Sequence, residues 1–408
     1  MGTALEAAPP RTDSAASAPP SAPSRPSLRA LRCTCGQPAA FRHDRCLACG
    51  GALGFDPDSG RLLALEPAGD LGVLREMAGR THRTWWRCAR HASAAGCNWL
   101  IAGDTLPAQP LCRACRLDRT LPDLRRKQHR LWWRRIEIAK RRLVATLIGL
   151  GLPVASRVDE DPVSGLAFDL LHEDETLPRV VGGHRDGIVT INIEEADDAR
   201  RQRVRAALRE PYRSLLGQLR HDVGHYYWQR LVAGSAWHAP FRALFGDERR
   251  AASPLHASGE WAARHVSAQA AVHPLEDWAE TFAHYLNLVD ALDAAAACRL
   301  DGRDIELRYE PFGEGALLPG ASADTLSFLA MVNRWMELTA VLNELARSMG
   351  QPDFYPFVLS SDAVRKLHFV HVVARYTSGR SSASVSPTGG GIVGGSCTGS
   401  GISLGGGS

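Results

Sequence analysis

Two histidines, His221 and His225, sit four residues apart in the run His221-Asp222-Val223-Gly224-His225. On a helix that spacing projects both imidazoles from one face, where they can hold one zinc ion. The zinc-peptidase pattern is H-E-x-x-H, in which the glutamate takes a proton from water on the metal. Here Asp222 stands at that place. Its carboxylate is one methylene shorter, roughly 1.5 Å, whereas a general base acts within about 2.6–3.2 Å of the proton or through a water. The expectation is a slowed hydrolase, a hydrolase in which Glu280 or an extra water substitutes, or a zinc-holding protein without turnover. Tyr226 and Tyr227 follow the motif as candidates to stabilise an oxyanion. Packing is the expected role of at least one of them, and Tyr227 is taken as the catalytic candidate.

A zinc with two histidines needs a third protein donor and an open position. Downstream, Glu276, Glu280 and His284 are spaced by four and form a polar stripe beside Trp278, Phe282 and Leu286. Glu276 is read as the third ligand and Glu280 as the acid that accepts the outer N–H of a ligand histidine. The spacing also permits the reverse. Eight of the ten cysteines precede residue 120 in two groups of four. Cys33, Cys35, Cys46 and Cys49 are spaced C-x-C and C-x-x-C with Gly36 and Gly50 following, as in knuckles that offer thiolates to a tetrahedral zinc. Cys88, Cys97, Cys112 and Cys115 form a looser set, read as a second structural zinc. His43 and His91 are expected to be solvated loop histidines. Disulfides compete for these thiols but require an oxidising compartment. The N-terminal run lacks a basic start followed by an apolar stretch, so the expected location is cytoplasmic. Cys298 and Cys397 receive no role.

The elements that must position these donors follow from periodicity. Leu215, Leu216, Leu219, Val223 and Tyr226 recur at three- and four-residue steps, which predicts a helix with Pro211 near its start and Gly234 just past its pattern. A second helix is predicted from His273, a basic helix from Pro122 to about Leu152, and further helices from about Ala323 to Met349 and after Ser361. Arg179 to His184, then Asp186-Gly187, then Ile188 to Ile193 reads as a hairpin with an Asp-Gly turn. An exposed strand there can pair with an extended peptide. His184 is expected to be an ordinary hairpin histidine.

These segments together resemble a known family, the bacterial zinc-binding metallopeptidases of the gluzincin type with an N-terminal zinc ribbon. The likeness covers roughly residues 30 to 376 and rests on CTCGQPAAFRHDRCLACGGALGFDPD, GCNWL, LCRACRLDRTLPDL, AKRRL, GIVTINIEEADD, RHDVGHYYW, EDWAETFAHYLN and YPFVLS. The resemblance implies zinc at His221, His225 and a downstream glutamate, a peptidase-like fold, and an edge strand above the zinc helix. The family's motif reads H-E-V-G-H, so Asp222 departs from it.

Composition fits this layout. The 408 residues are 45% hydrophobic with a net charge of +4, enough for a sizeable core plus a small metal-stapled module. A structural zinc contributes on the order of 10 kcal/mol or more to such a module. No apolar run reaches the roughly twenty residues a membrane helix needs. Residues 1–29 are Pro-, Ala- and Ser-rich and residues 377–408 nearly all Gly, Ser, Thr and Val, and both tails are expected to be disordered. Residues 113–142 carry twelve Arg or Lys against three acids, with Trp132 and Trp133 among them. A basic aromatic helix beside zinc ribbons suits contact with nucleic acid or protein. The expected architecture is α+β: a cysteine-rich zinc-ribbon module over 30–120 and a zincin-like metallopeptidase domain over 121–376. The expected substrate is a peptide. The competing expectation is an inactive zincin-like adaptor.

Overall fold

The computed structural model describes residues 31–380 except 70–71, 78, 80–81, 107, 174–178, 209–213, 254–258, 299, 301–309 and 319–322. The segment 1–29 and most of 377–408, expected above to be disordered, lie outside the described residues, as do Pro211 and Cys397.

The ribbon begins with a hairpin, β1 (Leu31–Arg32) against β2 (Pro38–Ala39), whose turn presents Cys33 and Cys35. Five antiparallel strands follow as a meander: β3 (Ala52–Asp56), β4 (Arg61–Pro67), β5 (Leu74–Glu76), β6 (Thr84–Arg87) and β7 (Leu100–Ala102). Between β3 and β4 the Asp56 carboxylate accepts hydrogen bonds from Asp58 N and Ser59 Oγ, closing the turn. The sheet curls on itself, because Phe55 bridges Trp99 just before β7. That core is small: Phe41, Phe55 and Trp99 pack as one aromatic cluster with the cysteines around it.

A short 3₁₀ turn at Cys115–Leu117 leads from the last cysteine into β8 (Asp118–Thr120). That strand belongs to the second sheet, so the ribbon is continuous with the larger domain. Helix α1 (Lys127–Gly149) follows, then β9 (Ala167–Leu171), β10 (Gly183–Arg185) and β11 (Ile188–Asn192) in the order β10-β11-β9-β8. β8 and β11 run parallel to β9, and β10 pairs antiparallel with β11 as an edge strand. Its turn is Asp186-Gly187, with φ of 50° and 79° as the predicted Asp-Gly hairpin requires.

The remaining helices are α2 (Asp198–Leu208), α3 (Leu215–Tyr227), α4 (His238–Phe245), α5 (Pro274–Ala297), α6 (Ala323–Ser348) and α7 (Ser361–Arg380). Ser214 caps α3, its hydroxyl accepting from Gly217 N at 2.9 Å, and a π-helical turn over Trp228–Val232 follows the helix. His273 caps α5, and Pro274 fits the first turn, where no N–H is needed. The core between them holds Trp278, Phe282, Phe241, Phe245 and Phe369 in edge and stacked contacts. The chain is thus a mixed α and β molecule with an N-terminal zinc-ribbon region and a metallopeptidase domain. Among the described residues no helix is long and apolar enough to cross a membrane.

Candidate metal centre

Helices α3 and α5 approach unusually closely at Gly224. A Cβ there would lie 2.9 Å from the Ala279 Cα, and the Trp278 indole donates to the Gly224 carbonyl at 2.9 Å. The fourth residue of the motif therefore lets the two helices touch. Arg220 of α3 pairs with Asp290 and Asn287 of α5, and Arg142 of α1 donates to Asp290 at 2.8 Å, fixing all three helices.

That contact brings the donors together. His221 Nε2 lies 3.1 Å from Glu276 Oε2, His225 Nε2 lies 3.4 Å from Glu276 Oε1, and the donor atoms of all three lie within 4.8 Å of one another. A tetrahedral zinc with bonds of about 2.1 Å sets neighbouring donors about 3.4 Å apart, so this two-histidine, one-carboxylate set fits the ion. Glu280 Oε1 lies 3.7 Å from His221 Nε2, and its other oxygen accepts from Ser267 Oγ at 2.9 Å. Gln269 donates to Glu276 at 3.3 Å. Burial works against charge at both partners and loses. The hydrogen bonds from His221 and His225 hold Glu276 well below the usual carboxylate range. Asp222, Glu276 and Glu280 hold His221 well above an ordinary imidazole.

Asp222 is buried; its Oδ1 accepts from Gln218 Nε2 at 2.8 Å and lies 3.5 Å from His221 Nδ1. Tyr226 and Tyr227 spend their hydroxyls on the carbonyls of Ser164 and Pro153, each at 2.9 Å, and Tyr227 is fully buried. His284 is turned away from the cluster's polar contacts: its Nδ1 meets the Tyr355 hydroxyl at 2.7 Å, and its ring packs on Phe357. Sequence reasoning missed Gln218, Ser267 and Gln269. Gln218 was legible, being one helical turn before Asp222. Ser267 lies in the loop before a three-residue 3₁₀ turn that Gln269 opens, too short a stretch for a pattern to betray them.

The cysteines form two clusters. Cys33 Sγ lies 3.6 Å from Cys49 Sγ, Cys35 Sγ 3.6 Å from Cys46 Sγ, and Cys97 Sγ 3.6 Å from Cys112 Sγ. Zinc bonds of about 2.3 Å set sulfurs about 3.8 Å apart, whereas a disulfide requires about 2.0 Å. Backbone N–H groups of Cys49 and Ala48 pull the Cys46 thiol down to about 6. The first cluster exposes Cys35 and Cys49, while the second is wholly buried. His91 Nδ1 contacts the Cys97 carbonyl at 3.1 Å, and His43 Nδ1 accepts from Ala40 N at 3.1 Å.

The basic segment is largely engaged within the molecule. Arg116 pairs with Glu160, Arg119 with Asp169, Arg135 with Asp198, Lys140 with Asp118, and Arg142 with Asp290. Trp133 is buried under Arg90, and Trp132 stacks with His129 and His172.

Comparison with known proteins follows this division. A zinc-ribbon domain model matches residues 30–126, and the family described as "Putative zinc-binding metallo-peptidase" matches residues 129–373. Uncharacterized proteins of Mycobacterium bovis and of two strains of Mycobacterium tuberculosis are each 39% identical over 358 residues, covering 85% of this chain and 95% of theirs. No solved structure matches. With that family matched across more than half its length and relatives at this identity, the chain belongs to the zinc-binding metallo-peptidase family and carries a zinc-ribbon domain ahead of it.

Proposed function

We propose that the protein is a zinc-dependent peptidase in which His221, His225 and Glu276 hold the metal and Asp222 serves as base. The convergence of two imidazole Nε2 atoms on one Glu276 carboxylate supports this reading most directly. Zinc bound there would supply Lewis acidity to a substrate carbonyl and acidity to a water. Gln218 fixes Oδ1 of Asp222 and leaves Oδ2 to take the proton. Glu280, anchored by Ser267, sets the electrostatics around His221 and is the alternative proton acceptor. Tyr227 is assigned to packing. The extended edge strand β10 is the surface on which a peptide backbone would pair. The adaptor reading is less favoured, because several of the cations it needs, among them Arg116, Arg119, Arg135, Lys140 and Arg142, already have acidic partners inside the fold.

Metal content tests the centre in the full-length chain. Three zinc ions per wild-type molecule and two after His225→Ala are expected by elemental analysis. Equal contents in the two proteins would reject the site. A quenched-fluorescent peptide library then tests hydrolysis.

A further inference from the structure

The hairpin beside the zinc helix carries a histidine whose proton has a fixed address. We propose that His184 is a catalytic residue of this site, its Nδ1–H donating a hydrogen bond to the carbonyl oxygen of the peptide bond being cut. This rests on the peptidase reading above and adds a group to it.

Three observations carry the assignment. The first is placement. β10 pairs His184 with Val189 of β11, and directly opposed residues share a face of a sheet. Val189 is fully buried, and the His184 ring meets the edge of Tyr226 with centroids 6.0 Å apart. Tyr226 is the neighbour of ligand His225 on α3, so His184 sits on the face of the sheet that receives the zinc helix. The ionisable groups acting on it are His225, Asp186, Asp222 and Arg157: one proposed ligand, the proposed base and two groups of the surrounding loops.

The second observation is the tautomer. Gly187 N donates to His184 Nε2 at 2.9 Å. A backbone amide only donates, so Nε2 must present its lone pair and the neutral ring must carry its hydrogen on Nδ1. The turn enforces this. Gly187 has φ of 79°, and a Cβ there would come within 2.5 Å of the Gly165 carbonyl, so its N–H is held in place by a position only glycine fills.

The third is availability. Among the described residues Nδ1 has no hydrogen-bond partner, and it is not one of the sealed, unpaired polar atoms, so the donor is open to an incoming group. Burial lowers the ring to about 4, and the Gly187 N–H on Nε2 itself requires the neutral form. A fixed neutral donor on the strand that would carry the peptide can meet oxygen charge as it develops, without reorganising. His184 keeps its proton throughout, so the balance of the hydrolysis is unchanged.

Amide replacements separate donor from turn-closer. An asparagine amide nitrogen overlies the Nδ1 position, whereas a glutamine amide reaches the Nε2 position. In the full-length, zinc-loaded protein with a fluorogenic peptide, His184→Ala is expected to lower kcat about 10²-fold with KM little changed and zinc content intact. His184→Asn should recover more of the rate than His184→Gln. Affinity for a phosphinic peptide should fall in step with kcat. Full recovery by His184→Gln with none by His184→Asn would reduce His184 to closing the turn and overturn the proposal. So would an unchanged kcat in His184→Ala. Wild-type protein that holds three zinc ions and cleaves no peptide in the library overturns the peptidase reading and this assignment together, whereas active wild type beside an equally active His184→Ala overturns His184 alone.

Discussion

At the residue scale, the proposed chemistry turns on the aspartate in the motif. Asp222 lies buried between Gln218 and His221, so its position is set by hydrogen bonds and not by solvent. Replacing it with asparagine preserves the shape and removes the base. Asp222→Asn is expected to keep full zinc content and lose about 10²–10⁴-fold in kcat, read from steady-state kinetics on the same peptide. An unchanged rate would pass the role to Glu280. The spacing put two histidines on one helix face and an acid stripe on a second but left Glu276 and Glu280 interchangeable; it is the distances to His221 and His225 that favour Glu276 in the proposed set. The groups that orient them were only partly legible. Ser267 and Gln269 reach Glu280 and Glu276 from a loop and the short 3₁₀ turn that follows it, a stretch whose path no periodicity records.

At the element scale, the proposed metal centre depends on how two helices pack. α3 and α5 each display their donors by periodicity, but the distance between the stripes is set by Gly224 against Ala279. Gly224→Ala must push the helices apart, since backbone atoms of Ala279 cannot swing aside. It is expected to cost about 1–3 kcal/mol in stability by chemical denaturation. It should also weaken zinc retention, since the His221–Glu276 separation depends on that contact. Stability and metal affinity both equal to wild type would show that the two helices can separate without loss. The start of α5 was read at His273, which caps the helix, whereas the start of α3 was expected near Pro211 and the helix begins at Leu215 behind the Ser214 cap. The five strands of the ribbon were not read: β3 and β4 pair with each other across the turn after Asp56, but β5, β6 and β7 span only three or four residues each, too few to show an alternating pattern.

At the scale of the whole molecule, the ribbon is built into the metallopeptidase domain. Cys115 Sγ lies 3.9 Å from Glu137 of α1, which forms ion pairs with Lys140 while Asp118 pairs with Lys140 and Arg90, all of them buried or nearly so. Burial raises the Asp118 carboxyl to about 7 despite those cations. The two cysteine clusters differ in access, so a chelator should withdraw ribbon zinc in two phases followed with a metal dye. The fast phase is expected to belong to Cys35 and Cys49, and a single phase would mean equal access. On α7, His371 is buried against the Tyr285 hydroxyl at 3.0 Å, and burial lowers it to about 4. Asp324 acts against that shift and Arg375 and His368 with it. Between pH 6.5 and 4 the unfolded chain takes up a proton there that the folded chain refuses, so stability is lost as pH falls through that window. The loss is at most about 3 kcal/mol for this group, and His371→Phe should flatten the pH dependence of the unfolding free energy. An unchanged slope would place the acid sensitivity elsewhere.

Spacing and turn chemistry act over a few residues, and they were enough to read the two helices, the hairpin turn and the two four-cysteine sets. Which groups meet is settled by the tertiary structure. It spends the basic segment on Glu160, Asp169, Asp198 and Asp290, turns the Tyr227 hydroxyl to Pro153, and seats His184 beside the zinc helix. Those outcomes depend on side chains far apart in the chain, where burial makes each charge and hydroxyl find a partner, and no local pattern says which partner that will be.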